Sequence, residues 1–208
     1  MPHQTSQQIH QALLMQCQSF PFLCAVLERN GPRTLERQPT SSFLPYLSRA
    51  VAGQQLSVNA AKTIWRRVES LSAEKGSLQQ TFVDEHYQAL RDCGLSNAKV
   101  KTILGINQAL MEGALDSAFL ASNDPQTIVK QLTGLWGIGP WTAEMALMFF
   151  FGMPDVWSAG DAALMRGLSS LAEKEGVDAE AILSAATPYR TYLALHIWEM
   201  LDAELLSE

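Results

Sequence analysis

Apolar side chains recur along most of the chain at the three- and four-residue spacing of amphipathic helices. In the segment 44–71 they form two such groups, with an interruption at residues 53–57. Ser57 is placed to cap the second helix, and Ser96 or Asn97 to cap the following one. The same periodicity predicts further helices in the segments 96–115, 123–135, 161–176 and 187–205. No segment alternates as a strand does, so the pattern predicts an all-α fold.

The segment LTGLWGIGPWTAEMALMFFFG, residues 132–152, joins a glycine-rich turn to a strongly apolar helix. The pattern predicts one helix through residues 128–132 and a second from about 141 to 151. Gly137 and Gly139 are expected to adopt positive φ angles or to allow another backbone to approach closely. Pro140 suits the first turn of the second helix, whose free N–H groups could bind an anion such as a DNA phosphate. A hairpin in which glycine serves packing alone is the structural alternative.

The overall charge argues against a nucleic-acid partner, but its distribution does not. The net charge is −6, whereas binding to phosphates requires Lys and Arg. Basic residues concentrate in 49–101, and the chain after Gly167 is mostly acidic. One basic face on an acidic molecule therefore remains compatible with the sequence, as do solvated helix faces without a partner.

Other classes of site are disfavoured by the residue inventory. Three scattered cysteines, Cys17, Cys24 and Cys93, exclude a four-cysteine iron–sulfur cluster and suggest reduced thiols. The four histidines lack metal-ligand spacing, so we expect no zinc site. The longest apolar run, 146–153, is too short to span a bilayer, and the first residues lack the features of a cleavable signal.

Several motifs together resemble one enzyme superfamily. LTGLWGIGPWTAEM and DVWSAGDAALMRG resemble the hairpin and the catalytic-aspartate loop of the helix–hairpin–helix (HhH-GPD) DNA glycosylases. RAVAGQQLSVNAAKTI (49–64), GLSNAKVKTI (94–103) and TPYRTYLALHIW (187–198) resemble the 3-methyladenine DNA glycosylase II branch, in a short form without the N-terminal β domain. The resemblance implies two helical lobes with a DNA-binding, active-site cleft between them. It predicts a single glycosylase domain over 1–208, with a central lobe at about 40–160 that holds the hairpin 128–151, and a second lobe formed by 1–39 and 161–208.

The same resemblance assigns catalysis to Asp161. The family hydrolyses the N-glycosidic bond of a damaged base, and a carboxylate stabilises the positively charged sugar that forms. Asp161 also stands where an aspartate caps a helix, which is the commoner role. Asp155 is the rival carboxylate, for which we expect loop solvation. Trp141 occupies the position immediately before Thr-Ala where bifunctional relatives carry a lysine, which implies hydrolysis without strand cleavage.

The resemblance also predicts which residues contact DNA. The turn GQQLS lies where the family places the wedge that fills the gap left by a flipped base. Either Gln55 or Leu56 would be the wedge, with Gln54 and Ser57 in support; without the resemblance, the segment would be a polar turn capped by Ser57. The hairpin is expected to bind backbone phosphate through Gly137, Gly139 and Thr142.

An aromatic pocket would receive the base. N-alkylated purines such as 3-methyladenine and 7-methylguanine carry positive charge in DNA, and electron-rich ring faces attract cations. The candidate residues for this pocket are Trp141, Trp198, Met145, Trp157 and Arg190. Trp136 and Tyr189 rank second, while Phe149, Phe150 and Phe151 are expected in the core. Arg190 could reach the surroundings of Asp161 or brace the last helix.

The remaining expectations concern cofactors, partners and place of action. The resemblance implies no cofactor, apart from a structural Na⁺ or K⁺ that the backbone carbonyls of Thr133, Leu135 and Gly137 could bind. The expected partner is double-stranded DNA containing alkylated bases, bound by a monomer that has no membrane association. The protein would act in the cytoplasm (nucleoid) of a bacterium or otherwise in a nucleus. The alternatives are a glycosylase for another damaged base, a non-catalytic lesion-binding module and a protein–protein scaffold.

Overall fold

The computed structural model describes residues 5–205, without the side chains of residues 204 and 205. The predicted domain boundaries at residues 1 and 208 lie outside the described residues. The described part divides into two compact units, which we call the central unit (38–150) and the discontinuous unit (5–37 with 151–205). The sequence placed these divisions at 39/40 and 160/161, and the grouping of both lobes into one glycosylase domain stays a prediction.

The central unit consists of helices joined by short turns. Its eight α-helices are α3 Phe43–Gly53, α4 Val58–Lys75, α5 Leu78–Thr81, α6 Tyr87–Asp92, α7 Asn97–Met111, α8 Ser117–Ala121, α9 Pro125–Thr133 and α10 Pro140–Phe149. Two 3₁₀ turns, Thr40–Ser42 and Asp84–His86, precede α3 and α6. The expected caps are present, since Ser57 accepts a hydrogen bond from the Ala60 N–H and Ser96 from the Lys99 N–H.

The core of the central unit forms around α3. Phe43, Leu47 and Val51 recur every four residues on this helix and are completely or almost completely buried. The Phe43 ring meets that of Phe150 edge-on, with the ring centroids 4.9 Å apart. Helices α4, α7 and α10 pack against the same helix. Because α3 is fixed by this core, the turn 53–57 at its end is attached to a helix whose position is fixed.

The discontinuous unit combines both ends of the described chain. Its helices are α1 Ser6–Gln16, α2 Pro21–Asn30, α11 Ala162–Glu175, α12 Ala179–Ala185 and α13 Arg190–Leu205. Helix α11 packs against α13 at Gly167, where an added Cβ would lie 2.3 Å from Ile197 Cγ2. The first turn of α2 lacks a side-chain cap of its own, and the Leu23 N–H instead donates to Glu175 Oε1 at 2.9 Å.

Two buried histidines lie together in the discontinuous unit. The ring centroids of His10 and His196 are 5.8 Å apart. Burial lowers the pKa of His196 to about 3, with Arg33 nearby as the second cause. Arg33 is ion-paired with Glu199 at 2.5 Å. Within residues 5–205, no group of three or more His, Cys, Asp or Glu residues is arranged to hold a metal ion.

The structure contains no strand in its described part, and the all-α prediction is confirmed. The last helix was expected to begin at Thr187 and begins at Arg190 instead. Among the described helices, none combines the length and apolar character needed to cross a bilayer.

Candidate nucleic-acid interface and active site

Helices α9 and α10 form the predicted hairpin, and its turn depends on Gly137. This residue has a φ of +84°, which side chains rarely allow, and an added Cβ would lie 2.0 Å from Thr102 Oγ1. The positive φ of Gly137 was expected, and the missing side chain also lets the turn pack directly on Thr102 of α7. The expectation for Gly139 was wrong, because its φ is −89° and nothing lies within 4 Å of an added Cβ. The protein itself would accept a side chain at position 139.

The beginning of α10 has the features of an anion site. Gly139 offers no side-chain cap, and Pro140 occupies the first turn, where a missing N–H costs least. The backbone N–H groups of this turn and the helix dipole favour a negative charge here. Thr142 is buried, and its hydroxyl accepts a hydrogen bond from Gln54 Nε2 at 3.0 Å. The Thr142 hydroxyl therefore connects the hairpin to the turn 53–57, and the assignment of Gly137, Gly139 and Thr142 to DNA binding stays a prediction.

The turn 53–57 is held by hydrogen bonds from Lys99 and has two exposed side chains. Lys99 Nζ donates to the carbonyl oxygens of Ala52 at 2.9 Å and Gln54 at 2.8 Å. Gln55 is the one non-glycine residue of positive φ within residues 5–205, at +57°. Gln55 and Leu56 are both exposed. The turn therefore presents both wedge candidates, and the choice between them stays open.

A cavity of about 770 Å³ opens beside this turn, and all of its lining residues belong to the central unit. Gln54, Gln55 and Leu56 line it together with Trp141 and Met145. Trp141 is 44% exposed, so it is not a plain core residue. The volume lies within the range of ligand pockets, about 300–1,000 Å³. The cavity therefore brings the wedge turn together with two of the predicted base-pocket residues.

Two aromatic residues of this cavity were missed from the sequence. Tyr46 donates from its hydroxyl to the Met145 carbonyl oxygen at 3.0 Å, and burial raises the pKa of the Tyr46 hydroxyl well above its usual value. Trp65 donates from Nε1 to Glu69 Oε1 at 2.8 Å. Tyr46 shares a helical face with Arg49, Ala50 and Gly53, and this spacing could have pointed to it.

Asp161 begins helix α11 in the discontinuous unit. Its Oδ1 accepts a hydrogen bond from the Leu164 N–H at 2.8 Å, so it serves as an N-cap whatever else it does. The carboxylate is half-buried, and the helix dipole favours its charged form. Capping and catalysis are compatible, since the cap hydrogen bond orients the carboxylate. The catalytic role stays a prediction.

The loop before Asp161 is fastened by the first residues of α13. Thr191 is completely buried; its hydroxyl donates to the Met153 carbonyl at 2.7 Å and accepts from the Val156 N–H at 2.9 Å. Its own N–H donates to the Pro154 carbonyl at 3.0 Å. Sequence reasoning missed Thr191, because a threonine inside a helical motif carries no sign of such a contact. The loop 151–160 is therefore held in place by side-chain hydrogen bonds.

The expectation for Asp155 was wrong. It was expected to be solvated, but it accepts two hydrogen bonds from the Arg190 guanidinium, at 2.7 and 2.8 Å, and one from the Arg190 N–H at 3.2 Å. The guanidinium lowers the pKa of Asp155 below its usual value. Of the two roles considered for Arg190, the structure shows bracing at the start of α13; its place in the base pocket stays a prediction.

The other predicted aromatics differ in exposure. Trp157 and Trp198 are half-buried in the discontinuous unit. Phe150 and Phe151 are buried as expected, but Phe149 is 36% exposed, so its expected place in the core was wrong. Trp136 is 54% exposed, and Lys101 Nζ lies 4.3 Å from the centroid of its ring. Phe149 lies on the outer face of α10, one residue before the buried Phe150.

The hairpin backbone is compatible with the predicted cation. The Leu135 carbonyl accepts the Ile138 N–H at 3.2 Å, which leaves one lone pair for another partner. Carbonyl oxygens are suitable ligands for a hard cation such as Na⁺ or K⁺. Coordination by Thr133, Leu135 and Gly137 stays a prediction.

Comparison with known proteins identifies the family to which this chain belongs. Over 165 residues the chain is 30% identical to DNA-3-methyladenine glycosylase 1 of Schizosaccharomyces pombe, which covers 74% of this chain and 72% of that relative. The crystal structure of a DNA-3-methyladenine glycosidase from Bacillus halodurans is similar at 32% identity with a TM-score of 0.73, covering 90% of this chain and 88% of that one. The chain belongs to the DNA-3-methyladenine glycosylase family. A scan against protein-family models returns no match.

A second solved structure agrees with the assignment. The 3-methyladenine DNA glycosylase of S. pombe, in complex with abasic DNA, matches with a TM-score of 0.74 and 26% identity over 92% of this chain and 95% of that chain. The superfamily resemblance inferred from the hairpin, the GQQLS turn and the last helix is thereby confirmed. The hairpin of this chain carries Trp141 immediately before Thr142-Ala143, and the sequence has no lysine between Lys130 and Lys174.

Proposed function

We propose that this chain is a monofunctional DNA glycosylase that removes alkylated purines, of the 3-methyladenine and 7-methylguanine type, from double-stranded DNA. The observation that carries the proposal is the cavity lined by Trp141, Tyr46 and Met145 next to the exposed wedge turn, in a chain of this family. The S. pombe relative was solved with abasic DNA, and abasic DNA is what hydrolysis of the N-glycosidic bond leaves behind.

The proposed reaction begins when the damaged nucleotide leaves the base stack. The energetic cost of flipping is a few kcal/mol and is smaller for a damaged pair. Gln55 or Leu56 would fill the gap, while the N–H groups at the start of α10 hold a backbone phosphate. The base would enter the cavity, where the faces of its aromatic residues attract positive charge.

Hydrolysis then requires little help for the leaving group. The bond between C1′ and the base nitrogen breaks, and its electron pair leaves with the base, which neutralises the positive charge of an alkylated purine. The Asp161 carboxylate would stabilise the cationic sugar, and water would add its oxygen to C1′ and give up a proton to that carboxylate, which passes it to solvent. The products are the free base and an abasic site. Without a lysine at position 141, no Schiff base forms there, so we expect no strand cleavage.

The decisive experiment measures single-turnover release of free bases from methylated duplex DNA by the wild type and by Asp161→Asn. Asparagine caps helices as well as aspartate does, so this substitution removes the charge and keeps the cap. We expect binding of the lesion duplex to persist and excision to fall at least about 100-fold, the scale of removing a charge-stabilising group. Thermal unfolding should change little.

Asp178→Asn is the matched control, because Asp178 is also an N-cap aspartate, whose Oδ1 accepts the Glu180 N–H of α12 at 3.0 Å. Its excision rate should equal that of the wild type. If Asp161→Asn excised bases as fast as the wild type, Asp161 would not be the catalytic residue. If the wild type bound the duplex and released no base, the non-catalytic lesion-binding module would replace the glycosylase as the better proposal.

A further inference from the structure

The cavity beside the wedge turn is lined by a carboxylate that the mechanism above does not use. Glu69 lies one helical turn after Trp65 on α4, and both residues line the cavity. The Glu69 Oε1 accepts the Trp65 Nε1 hydrogen bond at 2.8 Å, and Trp65 is only 5% exposed. Because the indole is fixed by its burial, this hydrogen bond fixes the position of the negative charge.

The second charged residue that lines the cavity, Arg49, does not neutralise the charge of Glu69 by direct contact. Arg49 is exposed on α3. Arg49 and Glu69 are not joined by an ion pair in the described part of the chain. Glu69 is thus a carboxylate held in place, whereas the Arg49 side chain is free of an ion pair that would bring it to Glu69.

We propose that Glu69 determines specificity, by biasing this cavity towards bases that are positively charged while still in DNA. The inference rests on the proposed function, since it concerns the base that the same cavity receives. A 7-methylguanine nucleotide carries positive charge, whereas hypoxanthine has a similar size and none. A fixed carboxylate attracts the first and leaves the second nearly unaffected. The aromatic faces act in the same direction, and Glu69 adds a charge that can be removed separately.

Glu69→Gln removes this charge with little change of shape. Glutamine keeps an oxygen that can accept the Trp65 hydrogen bond, so the indole should stay in place. Glu74→Gln is the matched control: it removes the same charge from the same helix, at an exposed position outside the cavity lining. Any effect of net charge on DNA affinity is therefore common to both variants.

The measurement compares dissociation constants for two duplexes that differ only in carrying 7-methylguanine or hypoxanthine. Both substitutions are made in the Asp161→Asn background, so that binding is measured without excision. We expect Glu69→Gln to reduce the preference for 7-methylguanine about two- to fivefold, the scale of one partly exposed charge interaction. Glu74→Gln should leave the preference unchanged.

Two outcomes would overturn the inference. One is an unchanged ratio of the two dissociation constants in Glu69→Gln, and the other is an equal change in Glu74→Gln. Failure of the proposed function would be seen in a different experiment. In that case the protein with Asp161 intact would release no base from methylated duplex DNA. A Trp65→Phe variant, which keeps the charge and removes the hydrogen bond that fixes it, should shift the ratio in the same direction by a smaller factor.

Discussion

Two connecting segments of the molecule, one presenting the wedge candidates and the other leading to Asp161, are held in different ways. The turn 53–57 in the central unit is held by Lys99, which donates to the Ala52 and Gln54 carbonyl oxygens. The hydrogen bond between Gln54 and Thr142 also holds it. The loop 151–160 in the discontinuous unit is held by a buried hydroxyl and a bidentate ion pair. Both arrangements satisfy backbone groups that lie outside a helix.

The difference concerns which side chains are left exposed. In the turn 53–57, the side-chain contacts that support the turn come from Lys99 and from the Gln54–Thr142 pair, so the side chains of Gln55 and Leu56 remain exposed. In the loop 151–160, the supporting residues Arg190 and Thr191 lie at the beginning of α13, two helices further along the chain. Thus the turn is built to present side chains, and the loop is built to fix the position at which Asp161 begins its helix. Three substitutions test this contrast.

Thr191→Val should have the largest effect on stability. Valine has the same shape but leaves the Val156 N–H and the Met153 carbonyl buried without their partner. We expect the free energy of unfolding to fall by about 3 kcal/mol, since each buried group that loses its partner costs about 1–3 kcal/mol. Urea denaturation measures this loss, with Thr63→Val, an exposed threonine on α4, as the control. A loss no larger than that of the control would show that the hydroxyl does not hold the loop.

Lys99→Met should have the second-largest effect on stability, and the effect should be confined to the turn 53–57. Methionine keeps an apolar stem of similar length but cannot donate to the Ala52 and Gln54 carbonyls. We expect about 2 kcal/mol of lost stability, the scale of a hydrogen bond from a charged donor, and faster hydrogen exchange in the turn 53–57. The same substitution at the exposed Lys62 serves as the control. If exchange in the turn were unchanged, the lysine would not be its support.

Asp155→Asn should have the smallest effect, and the effect should depend on pH. The ion pair is partly exposed, with side-chain exposures of 36% for Arg190 and 26% for Asp155, so we expect about 1 kcal/mol at neutral pH. The pKa of Asp155 is lower in the folded protein than the usual 3.8. The contribution of the charge is therefore fully present above that value and is lost as the pH falls through the folded-state pKa.

The measurement for Asp155 compares urea denaturation of the variant and the wild type at pH 7 and in acid. The difference between the two proteins should shrink below about pH 4, where the unfolded carboxyl takes up its proton. Asp92→Asn, at an exposed position on α6 without an ion pair in the described part of the chain, is the control measured alongside it. An equal difference at both pH values would contradict the role assigned to the ion pair.

The sequence by itself determined the local features of this protein. The all-α class, the interruption at 53–57, the hairpin and the caps at Ser57 and Ser96 all follow from residues three or four positions apart. Such neighbours interact within one helical turn, so a one-dimensional pattern is enough to find them. The family motifs are contiguous as well, which is why the family could be identified from them.

Only the tertiary structure decided which polar residues support the site. Asp155 and Arg190 are 35 positions apart, Lys99 and Ala52 are 47 apart, and Gln54 and Thr142 are 88 apart. The requirement for glycine at 137 rather than at 139 also comes from a distant residue, Thr102. A periodic pattern reports that a side chain is polar, but its partner is chosen by packing between helices, and that choice appears only once the helices are assembled.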